Sequence, residues 1–300
     1  MQKSKDMNFL DHLAARMNLQ GIIFAIALTF FLTSILFPFY WMVASSLKTR
    51  AEIGGREPVY IPGALRFEAY DQLFDPENES FQNFAVNIRN TILVAVPTAV
   101  IAVILAVLGS YAIARLKFRG KNVMINAILV VYLFPGILLI IPLFAMLAQI
   151  GDRIGFDVQD NLGVLVFTYL AQTLPVALYM LTNYFRTIPT EIEQAGLIDG
   201  CSRLEIIWRI TLPLAVPALV SVAIYTLMIA WNEFLYAFVF LNSHNLFTMP
   251  IKINTIWNDP SPRPHVVMAA STIMTVPIMV LFLALERYLA EGLSAGGVKG

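Results

Sequence analysis

Read for apolar and polar positions, the chain alternates between long greasy runs and shorter polar stretches. Gly21–Ala44 and Thr91–Ala114 carry no charge. Val123–Ala148, Leu162–Phe185, Leu214 to about Leu241, and Val266–Leu285 continue the series, the fifth interrupted only by Glu233. Each run reaches the ~20 apolar residues needed to cross a hydrocarbon core about 30 Å thick. The expected fold is therefore all-α and polytopic, with six transmembrane helices in a single domain over residues 1–300. The first run is too long for a signal-peptide core, so it reads as an uncleaved helix. Pro38, Pro97, Pro135, Pro142, Pro175, Pro217 and Pro277 lie inside the runs. A bundle tolerates them because neighbours re-satisfy the freed carbonyls.

Composition supports this reading. Of 300 residues, 58% are hydrophobic and 13% charged, against roughly 45–50% and 25% in soluble domains. Net charge is zero, so no nucleic acid or other strongly charged partner is expected. Cys201 is alone and His12, His244 and His265 are far apart, so neither a disulfide nor a metal set is expected.

Charge placement gives orientation. With the N-terminus in the cytoplasm, twelve of the twenty Lys and Arg fall in the inner segments, four of them in "RLKFRGK" at 115–121. By the positive-inside rule the chain reads N-in and C-in. Residues 45–86 and 242–265 then form the long external loops, and 186–213 lies in the cytoplasm between spans four and five.

That inner segment contains "EQAGLIDGCSRLEIIWRITLPL" at 193–214. Thr190 with Glu193 and Ser202 with Glu205 each fit a capping box. Gly200 lies between them, where a helix wants a left-handed residue, and Pro213 is expected to stop the second helix. Two short helices hinged at Gly200 are predicted, with Leu204, Ile207 and Trp208 forming one apolar stripe. Ala195 and Gly196 leave room for a partner's close approach. The pair reads either as an interfacial element on lipid headgroups or as a docking element for a cytoplasmic protein.

The spacing Gln194-Ala195-Gly196, then Asp199-Gly200, then Ile210-x-Leu212-Pro213 resembles the EAA loop of bacterial ABC-importer permeases, with Gln and Gly replacing the first and third letters of E-A-A. "ASSLKT" at 44–49, "NT" at 90–91, "SYAIARLKFRGK" at 110–121, "FPGILLIIPLF" at 134–144, "WNEFLYAF" at 231–238 and the 290–300 tail resemble the carbohydrate-uptake group, as in permeases similar to the MalG subunit of the maltose importer. The resemblance implies that 186–213 is a coupling helix seated on an ATP-binding subunit, through Gln194, Ala195, Gly196, Asp199, Gly200, Ile210, Leu212 and Pro213, with Leu204 on the stripe beside them. It also implies a tail, ending at Lys299-Gly300, that extends toward the same subunits. The implied partners are a second, different permease, two ATP-binding subunits, an extracytoplasmic sugar-binding protein, a sugar substrate and the lipid of the bacterial inner membrane. This chain itself would bind no cofactor; ATP and Mg would belong to the partner ATPase.

The residues agree that energy comes from elsewhere, since no G-x-x-x-x-G-K-[ST] loop is present. Glu233 is the only acid or base well inside a span, and such a charge is costly, about 2.5–3.5 kcal/mol at the bilayer centre. With Trp231, Asn232 and Tyr236 it forms the candidate substrate pathway, because sugars need polar tips and flat apolar faces. Tyr132, Gln172 and Asn183 are read instead as packing contacts between spans. The spans hold no cationic pocket, which favours a neutral sugar over a phosphorylated one. The alternative is a stand-alone secondary transporter or channel for a small polar solute. No nucleophile–base pair or carboxylate dyad points to an enzyme.

Overall fold

The computed structural model describes residues 19–77, 81–260 and 263–297, and among these every regular element is helical. The N-terminal cations Lys3, Lys5 and Arg16 and the Lys299-Gly300 end lie outside the described residues. The chain divides into two compact units. One holds residues up to Tyr70 together with Pro264–Thr272; the other holds Asp71–Arg263 and the segment from Ile273.

The first unit begins with α1 (Leu19–Ser46), an uninterrupted helix despite Pro38. Its most apolar window exposes every residue, as suits a rod that satisfies its own backbone and turns its side chains to lipid. A short helix, α2 (Arg50–Gly54), follows. Thr49 and Glu52 close a capping box around its first turn. The Glu52 carboxylate also accepts from the Gly63 amide at 3.1 Å, and the Arg66 amide bonds Leu47 O. The start of the long loop is thus folded back on the helix end. The chain passes into the second unit within α3 (Glu68–Phe74).

The second unit is built on α4 (Phe84–Arg115), α7 (Leu162–Thr187) and α11 (Val216–Asn232), which pack against one another. The sequence of α4 explains why. Ala95, Ala99, Ala102, Ala106 and Ser110 recur every three or four residues and are all buried, while Ile92, Val96, Val100, Ile104 and Leu108 form an exposed stripe. Small residues let helices approach closely where no hydrophobic effect drives them together. At Gly109 an added Cβ would lie 2.6 Å from Leu178 Cδ2 of α7. Ser110 Oγ donates to Leu178 O at 2.9 Å.

Among the described residues five helices are long and apolar enough to cross a membrane, six if the bent pair Arg203–Leu214 and Val216–Asn232 counts as one. Four predicted runs lie within single helices: α1, α4, α7 and α14 (Pro264–Gly297). Two do not. The third is split into α5 (Lys121–Leu133), a 3-10 turn (Gly136–Leu139) and α6 (Ile140–Ile154). Phe134, held extended by the proline after it, makes the break. The fifth is split into α11 and α12 (Leu235–Phe240) at Glu233, whose backbone is extended (φ −67°, ψ 126°).

The loop after α12 is fixed from two sides. Asn87 Nδ2 donates to His244 O at 3.0 Å and Phe247 O at 2.9 Å, and Asn90 Nδ2 to Asn245 O at 2.9 Å. Thr91 Oγ1 accepts from Met249 N, at the start of α13 (Met249–Trp257). From the other side Asp160 accepts from the Asn242 and Ser243 amides and the Ser243 hydroxyl. The Asn90-Thr91 pair of the family resemblance thus anchors a loop carbonyl and a helix start.

Candidate functional site: a hinged helix knuckle and an aromatic cavity

The knuckle is α8 (Thr190–Ile198) followed by α9 (Arg203–Ile206), a π turn (Ile207–Thr211) and the short α10 (Leu212–Leu214). The hinge forms where the sequence puts it. Gly200 takes φ +86°. Gly200 N donates to Leu197 O at 3.1 Å and Cys201 N to Gly196 O at 2.9 Å, the paired bonds of a Schellman motif. Ser202 and Glu205 close their capping box. Pro213 does not end the helix where expected. It sits in the first turn of α10, and the turn comes at Ala215, where the axis bends by 84° into α11.

The second expected box is absent. Pro189 occupies the cap position of α8, and Glu193 reaches inward. Its Oε1 accepts from Arg115 Nε at 2.9 Å and from Thr211 Oγ1 at 3.3 Å, and its Oε2 from the Tyr111 hydroxyl at 3.3 Å. Arg115 also donates to Ile188 O at 2.8 Å. A long-range cation has taken the carboxylate from the local amide. Gly196 also serves the interior: an added Cβ would lie 2.6 Å from Ile210 Cδ1. Its small size therefore seats α8 on the π turn within this chain.

What remains outside is a mixed polar and apolar surface. Gln194, Ala195, Asp199, Gly200 and Pro213 are exposed, while Ile210 and Leu212 are half-buried. The expected stripe is divided: Leu204 is 61% and Trp208 65% exposed, but Ile207 is buried. The stripe divides where the π turn begins, at Ile207, whose carbonyl accepts from the Leu212 amide five residues on. Ile198, 86% exposed beside the hinge, belongs to the same surface. Sequence inspection missed it because its neighbours give it no periodic partner.

The second feature is a cavity of about 490 Å³ lined by Tyr132, Gly136, Gln172, Thr173, Tyr225 and Tyr236, with apolar side chains between them. Both helix breaks reach it. Phe134 and Gly136 line it from the first break and Tyr236 from just past the second, the Tyr236 hydroxyl donating to Gly136 O at 3.3 Å. Of the four predicted pathway residues only Tyr236 lines it. Trp231 is buried and donates from Nε1 to Met274 O at 3.1 Å. Asn232 bonds back to Met228 O of its own helix. Glu233 is buried and accepts from the amides of Tyr236 (2.8 Å) and Ala237 (3.1 Å). Its carboxylate thus holds the first turn of α12 and aims Tyr236 at the cavity. Tyr132 and Gln172, expected as packing contacts, are lining residues; Asn183 lines a separate recess beside Arg186.

The model of the binding-protein-dependent transport system inner membrane component family matches residues 84–295. The chain is 40% identical over 282 residues to the inner membrane ABC transporter permease protein YcjP of Escherichia coli (strain K12), covering 94% of this chain and 98% of that one. It is 33% identical over 267 residues to the trehalose/maltose transport system permease protein MalG of Thermococcus litoralis, covering 88% and 92%. Its fold matches a chain of a bacterial ABC transporter involved in the import of the acidic polysaccharide alginate, with TM-score 0.76 over 90% of this chain and 96% of that one, at 22% identity. The family match spans the cavity, both helix breaks and the whole knuckle. The chain therefore belongs to the family of inner membrane components of binding-protein-dependent transport systems, and is a permease subunit of the ABC-transporter type.

Proposed function

We propose that the chain forms half of the translocation pathway of an ATP-driven importer for a neutral sugar or oligosaccharide, in the bacterial inner membrane. The observation that carries this reading is the cavity: three tyrosines, a glutamine and a threonine among apolar side chains, and no charged residue on its wall. Aromatic faces stack on sugar rings, and hydroxyl and amide tips bond sugar hydroxyls. Broken helices around a site leave backbone groups free to meet a ligand. A trehalose/maltose permease among the relatives supports the same substrate class.

A second, different permease completes the pathway. Two ATP-binding subunits receive the knuckles, this chain contributing Gln194, Ala195, Asp199, Gly200, Leu204 and Pro213 from its exposed side, with Ile198 and Trp208. Gly196, Ile210 and Leu212 shape that surface from beneath. An extracytoplasmic sugar-binding protein delivers substrate, and ATP with Mg stays in the ATPase. Docked on its subunit, the knuckle moves as a body, and ATP binding biases the spans between inward and outward states by its unequal affinity for them. In the cavity Tyr236 contacts substrate, while Glu233 and Trp231 are positioning residues. N-in, C-in topology is part of this reading.

The test is uptake by the reconstituted importer, with partners taken from the same transport system. Tyr236→Ala and Gln172→Ala should raise KM for the sugar with the ATPase still assembled. Transport should stop with vanadate and survive an uncoupler. Uptake of every candidate sugar at wild-type KM in both variants would sink the cavity as the pathway, and uncoupler sensitivity would sink the ATP-driven mechanism.

A further inference from the structure

The first unit holds a second cavity, about 220 Å³, at the end of α1, lined by Trp41, Ser45, Lys48, Glu52, Arg56 and Pro264 among others. Lys48 is the unusual member. The residue is 3% exposed, and among the described residues no hydrogen bond or ion pair holds its ammonium, which faces the cavity with Nζ 4.0 Å from the Trp41 ring. Burial pushes the Lys48 ammonium below its ordinary range and Glu52 pulls it partly back. Glu52 cannot serve as full counter-ion. Its Oε2 is taken by the Thr49 amide and hydroxyl, and its Oε1 by the Gly63 amide. A partly desolvated cation that faces a cavity with no anion beside it favours a ligand that supplies one.

The surroundings indicate which ligand. Phe37, Tyr40 and Trp41 cluster in the last turns of α1, with Phe37–Trp41 ring centroids 6.0 Å apart. Such aromatic groups mark the headgroup level of a membrane. On the cavity wall Arg56 is exposed and has no ion pair among the described residues, and the preceding stretch of α1, residues 22–40, is largely apolar and exposed. We infer that this cavity binds the phosphodiester of an anionic phospholipid, with the phosphate between Lys48 and Arg56, its glycerol edge over Trp41, and its acyl chains along α1. The site shares no residue with the sugar cavity or the knuckle, and requires only that α1 cross the membrane.

Native mass spectrometry of the full-length chain in detergent, titrated with dioleoyl phosphatidylglycerol, tests this. One tightly held lipid per chain is expected. Lys48→Met should weaken it about tenfold, the loss of one charge-assisted contact. Arg56→Gln, at an exposed position that does not support the fold, should weaken it several-fold, and Lys48→Arg should retain it. If Lys48→Met does not fold, Arg56→Gln decides. Wild-type lipid retention in folded Lys48→Met or in Arg56→Gln would overturn the site. Displacement of the lipid by millimolar inorganic phosphate would overturn the lipid assignment in favour of a free phosphate ligand.

Discussion

Arg115 Nε lies 2.9 Å from Glu193 Oε1, with both side chains only 8% exposed. This pair joins the last residue of α4 to the first turn of α8 and is the one buried ion pair among the described residues. Removing one partner strands a buried charge, at a cost of about 3–5 kcal/mol. Glu193→Ala should lower the thermal unfolding temperature of the purified assembly and reduce sugar moved per ATP hydrolysed. Replacing both, as Arg115→Met with Glu193→Leu, should recover much of the stability but not the coupling ratio. An unchanged unfolding temperature in Glu193→Ala would show that the pair carries no load.

The hinge should be selective about its residue. Gly200→Val places a β-branched side chain at φ +86°, where an L-residue is penalised by roughly 1–2 kcal/mol; Gly200→Asn should be tolerated. Hydrogen exchange over 197–202 is expected to rise in the valine variant and stay near wild type in the asparagine one. Equal exchange in both would contradict the Schellman geometry.

Trp208, Leu204 and Ile198 face solvent and support no core. Trp208→Ala should leave the unfolding temperature unchanged while weakening capture of the ATP-binding subunit by about 2 kcal/mol or more, as for an aromatic anchor at an interface. Pull-down with the tagged ATPase reads this directly. Full capture by a Trp208→Ala, Leu204→Ser double variant would mean that the subunit docks elsewhere.

Asp160 gives a pH dependence. Burial raises its carboxyl pKa, but the Ser243 hydroxyl and amide and the Asn242 amide outweigh this and hold it below the usual carboxylate range. A group depressed in the folded state contributes stability above its unfolded pKa of about 3.9. That contribution is lost as pH falls through the folded value. Exchange of the Asn242 and Ser243 amides, compared between wild type and Asp160→Asn, should therefore differ at pH 7 and converge only in strong acid. Convergence already near pH 6 would contradict the depressed pKa.

What the sequence determined by itself is what local chemistry can encode. Apolar runs too long for a soluble helix dictated the membrane class, because twenty greasy residues have no other solvent. Gly200 and the Ser202–Glu205 spacing dictated the hinge, because the atoms that bond are at most five residues apart. Tertiary structure decided wherever two groups distant in the chain competed for one partner. Glu193 could cap its own helix, but a cation 78 residues away holds it more strongly. Trp231 could have lined a sugar path, but a carbonyl of α14 claimed its indole. The breaks at Phe134 and Glu233 lie inside apolar runs that each read as a single span. They became a cavity only because the bundle brought Gly136 and Tyr236 to the same wall, and periodicity along one helix holds no record of which helix will face it.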